Sequence, residues 1–239
     1  MIKREYILIL ILIIIILIFG FQIINETSPK DNNLTNNTIV RQIIANSSDE
    51  PGTVEVIKNI GNPNGKKIAY VVGVHPLEHQ THETLVKILP GITNLNNSYD
   101  IYIINVTQDV GHYGDGSSDN SQGRQNGQNL ALKYVYPAIL NGSYDLAIDV
   151  HSNVGAYEYQ TFVFSPVKEG LAGEIAMKVA DECENISYYA PSSTTSGPYL
   201  TIPLNEKGIP AFYFEEYSFA PQNVKDSHMI ELINAVDNV

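Results

Sequence analysis

The run KIAYVVGVHPLEHQTHETL, residues 67–85, decides how the chain is read. Lys67 to Val74 is apolar and rich in β-branched residues without polar alternation, the pattern of a strand buried on both faces. The apolar run stops at His75. From His79 to Leu89 the period changes: Leu85, Val86 and Leu89 share one helical face, and Pro90–Gly91 ends it. A buried strand passing directly into a helix is the first half of a parallel crossover.

The same alternation continues outward. TVEVIK (53–58), DIYIINV (100–106), YDLAIDVHS (144–152), YQTFVFS (159–165) and IPAFYFEEY (209–217) read as strands. Asn129–Leu140, Gly170–Cys183 and Val224–Val236 read as helices, the second with Leu171, Ile175, Val179 and Cys183 on one stripe. Residues 107–127, with five glycines, read as a long polar loop. Strands separated by helices predict an α/β domain over residues 53–239, with a mostly parallel central sheet and helices on both faces. Ligands of such folds bind at the carboxyl ends of the strands.

Residues 6–24 are almost wholly apolar, about the length that crosses a hydrocarbon core, and Lys3 and Arg4 precede them. They predict one N-terminal transmembrane helix within residues 1–24, with the positive end in the cytoplasm and the remainder outside. The polar tract 25–52 reads as a stalk. Asn-x-Ser/Thr sequons at Asn25, Asn33, Asn36, Asn46, Asn96, Asn105, Asn141 and Asn185 fit a chain exposed to glycosylation, or the chance yield of an Asn-rich sequence.

Composition excludes several functions. The 239 residues carry a formal net charge of −12, which argues against a nucleic-acid partner. The lone Cys183 can close no intramolecular disulfide and no cysteine-based zinc or iron–sulfur site. The Gly-rich loop matches neither a P-loop nor a dinucleotide fingerprint, so no nucleotide is expected.

The polar residues that interrupt the apolar strands sit at their ends. The first run ends at His75 with Glu78 three residues on, the third at Asp149-Val150-His151-Ser152, and the 209–217 run at Glu215–Glu216. Two His and one carboxylate with an open fourth position make a catalytic zinc site, and a further carboxylate can move the protons of a hydrolysis. Asp149 lies two residues before His151, on the same strand face, where it could orient a ligand imidazole or bond to a nearby loop.

GVHPLEHQTHETL, DLAIDVHSN and GIPAFYFEE, in this order, resemble the zinc carboxypeptidase superfamily, and more closely its compact succinylglutamate desuccinylase/aspartoacylase branch. The likeness covers most of residues 66–217. It implies one zinc per chain, held by His75, Glu78 and His151, with Glu215 as catalytic base and Glu216 as the fallback. It implies hydrolysis of an amide bond, in a C-terminal peptide bond or an N-acyl amino acid. Such enzymes also use arginines on the substrate carboxylate and the oxyanion, and Arg124, in the loop between the metal motifs, is the candidate. The family's Asn-Arg pair has no match, since Leu130 follows Asn129, and Tyr199 is an uncertain counterpart of the peptidases' substrate-facing Tyr.

Two rival readings stand beside this one. His75-Pro-Leu-Glu78-His79 also fits a His-x-x-Glu-His metalloprotease helix. The domain could instead be a non-catalytic surface binding module. His82 and His112 read as solvated, with a place near the site as the alternative, and His228 reads as exposed on the final helix.

Overall fold

The computed structural model describes residues 38–111, 121–167 and 169–239. The expected anchor at 1–24, the stalk residues 25–37 with sequons Asn25, Asn33 and Asn36, and His112 lie outside the described residues. Among the described residues, no helix is long and apolar enough to cross a membrane.

Eight strands form one sheet: β1 (Val40–Ser47), β2 (Gly52–Gly61), β3 (Lys67–Val72), β4 (Ser98–Val106), β5 (Leu146–Asn153), β6 (Phe162–Phe164), β7 (Ser187–Tyr188) and β8 (Ala211–Tyr217). Their spatial order is β1-β2-β4-β3-β5-β8-β6-β7. The central strands β4, β3, β5 and β8 run parallel. The flanks are not parallel throughout: β2 is antiparallel to β4, β1 to β2 and β6 to β8. The sheet is therefore mixed, with a parallel centre. The polar segment expected to be stalk as far as residue 52 contains β1, whose main chain is satisfied by pairing with β2. Its burial pattern is mostly exposed, so composition hid it.

The helices are α1 (His79–Ile88), α2 (Ser121–Leu130), α3 (Tyr136–Leu140), α4 (Leu171–Asp181), α5 (Thr201–Glu206) and α6 (Gln222–Asp237). A π segment, Ala131–Val135, joins α2 to α3. Pro137 follows it and has no N–H for the carbonyl four residues back, which is the usual cause of a local widening. The helix thus begins well before Asn129, and residues 121–127 are helical rather than loop.

The two faces of the sheet carry separate cores. Ile68, Tyr70, Val72, Ile148, Val150, Phe212 and Phe214 pack with Leu85 and Leu89, Val179 of α4, and Met229, Leu232 and Ile233 of α6. Ala69, Val71, Ala147 and Ala211 pack on the other face with Leu130, Val135, Ile139 and Leu204. In α4 the buried residues are Ala172, Gly173, Ala176, Val179 and Ala180; of the expected stripe, Val179 is in the core, Ile175 and Cys183 pack against it partly buried, and Leu171 is exposed. Each large apolar side chain fully removed from water contributes about 1.5–3 kcal/mol. The described sequon residues Asn46, Asn96, Asn105, Asn141 and Asn185 are all exposed.

Two glycines shape the approach to the strand ends. Gly73, directly after β3, has φ +90°, and a Cβ there would lie 1.9 Å from the Ile104 carbonyl oxygen. Gly127 brings α2 onto the same turn, where a Cβ would lie 2.2 Å from the Val74 oxygen. Gly73→Ala adds the left-handed penalty of about 1–2 kcal/mol to a backbone clash. Its melting temperature should fall by at least about 2–8 °C, and a melting curve superimposable on wild type would refute this account of the turn.

Candidate metal centre

Strand parity decides which polar side chains meet. His151 pairs in register with Glu215 across β5 and β8, and Val71 with Asp149 across β3 and β5. Successive strand residues face opposite sides. Asp149, His151 and Glu215 therefore share the parity of Ala147, Ala211 and Tyr213, and Glu216 that of Phe212 and Phe214. His75 comes from the turn after Gly73, with extended backbone (φ −117°, ψ 109°), and a 3-10 turn Pro76–Glu78 brings Glu78 back beneath it.

The three expected ligands converge. His75 Nδ1 lies 2.9 Å from Glu78 Oε1, and His151 Nδ1 lies 2.8 Å from Glu78 Oε2. The Ser152 N–H donates to the same Oε2 at 3.0 Å. One donor atom from each of His75, Glu78 and His151 can be chosen so that all lie within 4.8 Å of one another, and all three residues are buried. On the outer side of the rings, the Gln128 amide nitrogen stands 3.2 Å from His75 Nε2. Asp149 Oδ1 stands 3.1 Å from His151 Nε2, a close ion-pair distance without hydrogen-bond alignment.

The rival histidine motif is not assembled. His75 is extended rather than helical, and His79, the first residue of α1, is exposed. His82 is buried, not solvated, with Nε2 3.1 Å from the Val150 carbonyl oxygen; burial pushes its pKa down to about 3, so it is neutral. His228 is also not free: its Nδ1 lies 3.0 Å from Glu216 Oε2, on the α6 side of the sheet. Thr161 and the Tyr217 N–H also donate to Glu216. Glu216 is thus occupied on the face opposite the histidine pair.

Glu215 is less occupied, with Asn153 as its hydrogen-bond partner. It is half-buried, its Oε2 has no hydrogen-bond partner among the described residues, and it lines a 310 Å³ cavity with His75, Glu78 and His151. Burial pushes its carboxyl up to about 8; His151 opposes this, and the negative charges of Glu78 and Asp149 add to it. Burial opposes ionisation of Glu78 as well, but the two imidazoles outweigh it and hold Glu78 well below the usual carboxylate range. His151 is raised well above its usual value: burial is outweighed by Asp149 and Glu78.

Arg124 enters from the first turns of α2 rather than from a loop. It lies 3.6 Å from Glu78 Oε1, donates to Thr195 Oγ1 at 3.2 Å, and is part of the cavity wall. Tyr199 is not in that wall; its hydroxyl accepts from Gln125 at 3.0 Å. Tyr213 is in it, its hydroxyl held by Ser196 and Thr201 at 2.9 Å each. Sequence reading missed Gln128 and the Ser193–Ser196 run. Gln128 is four residues after Arg124, on the same helical face, and an earlier start for α2 would have exposed it.

These donors fit a divalent cation. Two imidazole nitrogens and a carboxylate converge, three carboxylates surround two imidazoles, and buried oxygens of Asp149 and Glu215 lack hydrogen-bond partners among the described residues. Such a cluster is stabilised by a cation, and N/O ligands of this set suit zinc. A larger cleft, 650 Å³, lies elsewhere among Arg41, Glu55, His79 and Asn105, and holds no such cluster among the described residues.

No protein-family model matches the sequence, and no curated protein matches it. Solved structures do match in fold. A metallo-carboxypeptidase from Burkholderia cenocepacia superposes with TM-score 0.57 at 15% identity, over 84% of this chain and 66% of its own. A provisionally assigned carboxypeptidase from Burkholderia mallei gives 0.59 at 15%, over 83% and 62%. The tripeptide-bound cell shape determinant Csd4 from Helicobacter pylori gives 0.51 at 13%, over 77% and 55%. The chain therefore has a zinc carboxypeptidase-like fold, and it spans less than two thirds of the length of these neighbours.

Elemental analysis of the purified chain should find about one zinc per molecule, lost in His151→Ala; equal metal in both would remove His151 from the site. The His228–Glu216 pair makes a separate prediction. The hydrogen bond to Glu216 raises the His228 pKa. The stabilisation is therefore fully present below the ordinary imidazole value and lost as pH rises through the raised one. The melting-temperature gap between wild type and His228→Gln should be about 2–4 °C at pH 6, the effect of about 1 kcal/mol. It should shrink by pH 9, and a pH-independent gap would show that the contact is not ionic.

Proposed function

We propose that the chain is a metal-dependent hydrolase of carboxypeptidase type, acting on an amide bond of a peptide. One observation carries this reading: His75, Glu78 and His151 bring their donor atoms together in a cavity that also holds the unpartnered carboxylate oxygen of Glu215. The neighbours in fold favour a C-terminal peptide bond over an N-acyl amino acid, since the named ones are carboxypeptidases and one was solved with a tripeptide.

His75, Glu78 and His151 would hold zinc, which when bound lowers the pKa of water and polarises a carbonyl. The protein supplies the rest. Glu215 is the general base: it accepts a proton from the attacking water and returns it to the leaving amine. Burial and its neighbouring carboxylates raise its affinity for that proton, and a cation among the ligands offsets part of this rise. Arg124, anchored by Thr195, faces the same cavity and is the cation for a substrate carboxylate or a developing oxyanion. Gln128 and Asp149 face the outer nitrogens of the two imidazoles, at 3.2 and 3.1 Å, and would favour the orientation that turns the other nitrogens towards Glu78. Residues 6–24 would tether the domain outside the cell membrane, within reach of extracellular peptides.

A panel of short peptides and N-acyl amino acids, assayed with zinc, tests this. Glu215→Gln should reduce turnover at least about 100-fold while zinc content stays at wild-type level. Retained activity in Glu215→Gln would overturn the proposed base. A zinc-loaded wild type that turns over no substrate would favour the surface binding module, a reading to which the missing Asn-Arg pair already gives some weight.

A further inference from the structure

The strand that presents His151 outruns its neighbour. β3 and β5 are last paired at Val71 and Asp149, because β3 ends at Val72 and turns at Gly73 to deliver His75. β5 continues to Asn153. Along a strand, successive residues turn their main-chain groups to alternate edges. The Ala147 N–H donates to the Pro210 carbonyl at 2.9 Å, and the Asn153 carbonyl accepts the Ser218 N–H at 2.8 Å, so the odd-numbered residues of β5 face β8. Val150 and Ser152 therefore face the edge that β3 has left. Both are buried, and buried main-chain groups need partners.

Two side chains from the segment after β3 take the place of that strand. His82, on α1, lies with Nε2 3.1 Å from the Val150 carbonyl oxygen, and Glu78, four residues earlier, accepts the Ser152 N–H at 3.0 Å. A carbonyl can only accept, so His82 Nε2 carries the proton. These contacts hold the two peptide units on either side of His151. The Val150 carbonyl belongs to the planar unit that enters this residue, and the Ser152 N–H to the planar unit that leaves it. With both planes held, the direction in which the His151 side chain leaves the strand is set. Burial pushes the His82 pKa down to about 3, so the ring is neutral. It supplies a donor, as a lysine or arginine would, without placing a cation beside the two imidazoles of the metal centre. His82 is not in the wall of the metal cavity; it lies in the wall of the separate 650 Å³ cleft.

We propose that His82 is a positioning residue for the metal centre: its Nε2–H, bonded to the Val150 carbonyl, fixes the peptide unit from which His151 is presented. This rests on the reading of His75, Glu78 and His151 as metal ligands, and adds to them a side chain that lines no part of their cavity. A ring of the same size without the N–H would fill the same space and leave a buried carbonyl unbonded.

Zinc affinity of the purified chain, measured by competition with a chromogenic chelator, tests this without any substrate. His82→Phe keeps a ring and removes the donor, and its zinc affinity should fall at least about tenfold, the scale of lost contacts behind metal ligands. His82→Gln gives up the ring but carries an amide N–H of similar reach, and should recover most of that loss. The absorption bands of the cobalt(II)-loaded chain should shift in His82→Phe and stay at their wild-type positions in His82→Gln. A packing role gives the reverse order, since the ring is what packs. Where His82→Phe does not fold, His82→Leu takes its place in the comparison. Wild-type zinc affinity in the variant without a donor, or a His82→Gln as weak as that variant, overturns this proposal alone. A wild type that binds no zinc overturns it together with the metal-centre reading.

Discussion

The site depends on one carboxylate between two imidazoles. Glu78 meets His75 and His151 through separate oxygens, at 2.9 and 2.8 Å, and takes the Ser152 N–H as well. These contacts tie the turn after β3 to the end of β5, the neighbouring strand in the parallel centre of the sheet. Burying such a carboxylate alone would cost several kcal/mol. Here its partners are a main-chain donor and two rings whose outer nitrogens face Gln128 and Asp149. The arrangement holds only if β3 and β5 stay in register and the turn at Gly73 keeps its positive φ.

The sheet does a second piece of sorting. Glu215 and Glu216 are chemically identical and adjacent, yet strand parity separates them completely. Glu216 lies among acceptor-seeking groups on the α6 side, bonded by Thr161, the Tyr217 N–H and His228. Glu215 lies opposite His151, with an oxygen left over. The same sequence dipeptide thus supplies a fully bonded carboxylate and one that keeps an oxygen without a partner among the described residues, and a one-residue slip of β8 would exchange them.

Legibility in the sequence followed burial. The central strands were readable because both faces are covered, which forces unbroken apolar runs; the interruptions at His75, His151 and Glu215 then stood out. Strand β1 was not readable, because an exposed edge strand needs no apolar face and its residues resemble a linker. The start of α2 was hidden by glycines and amides. Gly127 is there for close packing on the Val74 carbonyl, not for a loop, and the amides are spent on neighbours, as Gln125 is on Asn129 and Tyr199. His228 reads as exposed and His82 as solvated because their partners, Glu216 and the Val150 carbonyl, lie 12 and 68 residues away and leave no local pattern.

The chain spans 55–66% of the length of the three named neighbours, and the metal-type residues all fall in the central part of the fold. His75, Glu78 and His151 come from the ends of central strands and the turn beside them, so their placement requires the parallel centre and little else. The walls are another matter. Tyr157 comes from the β5–β6 loop, Thr195 and Ser196 from the segment before α5, and Arg124 from the opening of α2. Each of these elements can change length without disturbing the strands. Those three walls are therefore where the shape of this cavity is freest to vary. The β5–β6 loop is tied by Asn153, a residue of the same strand that presents His151, so this wall is coupled to the metal-type residues more directly than the other two.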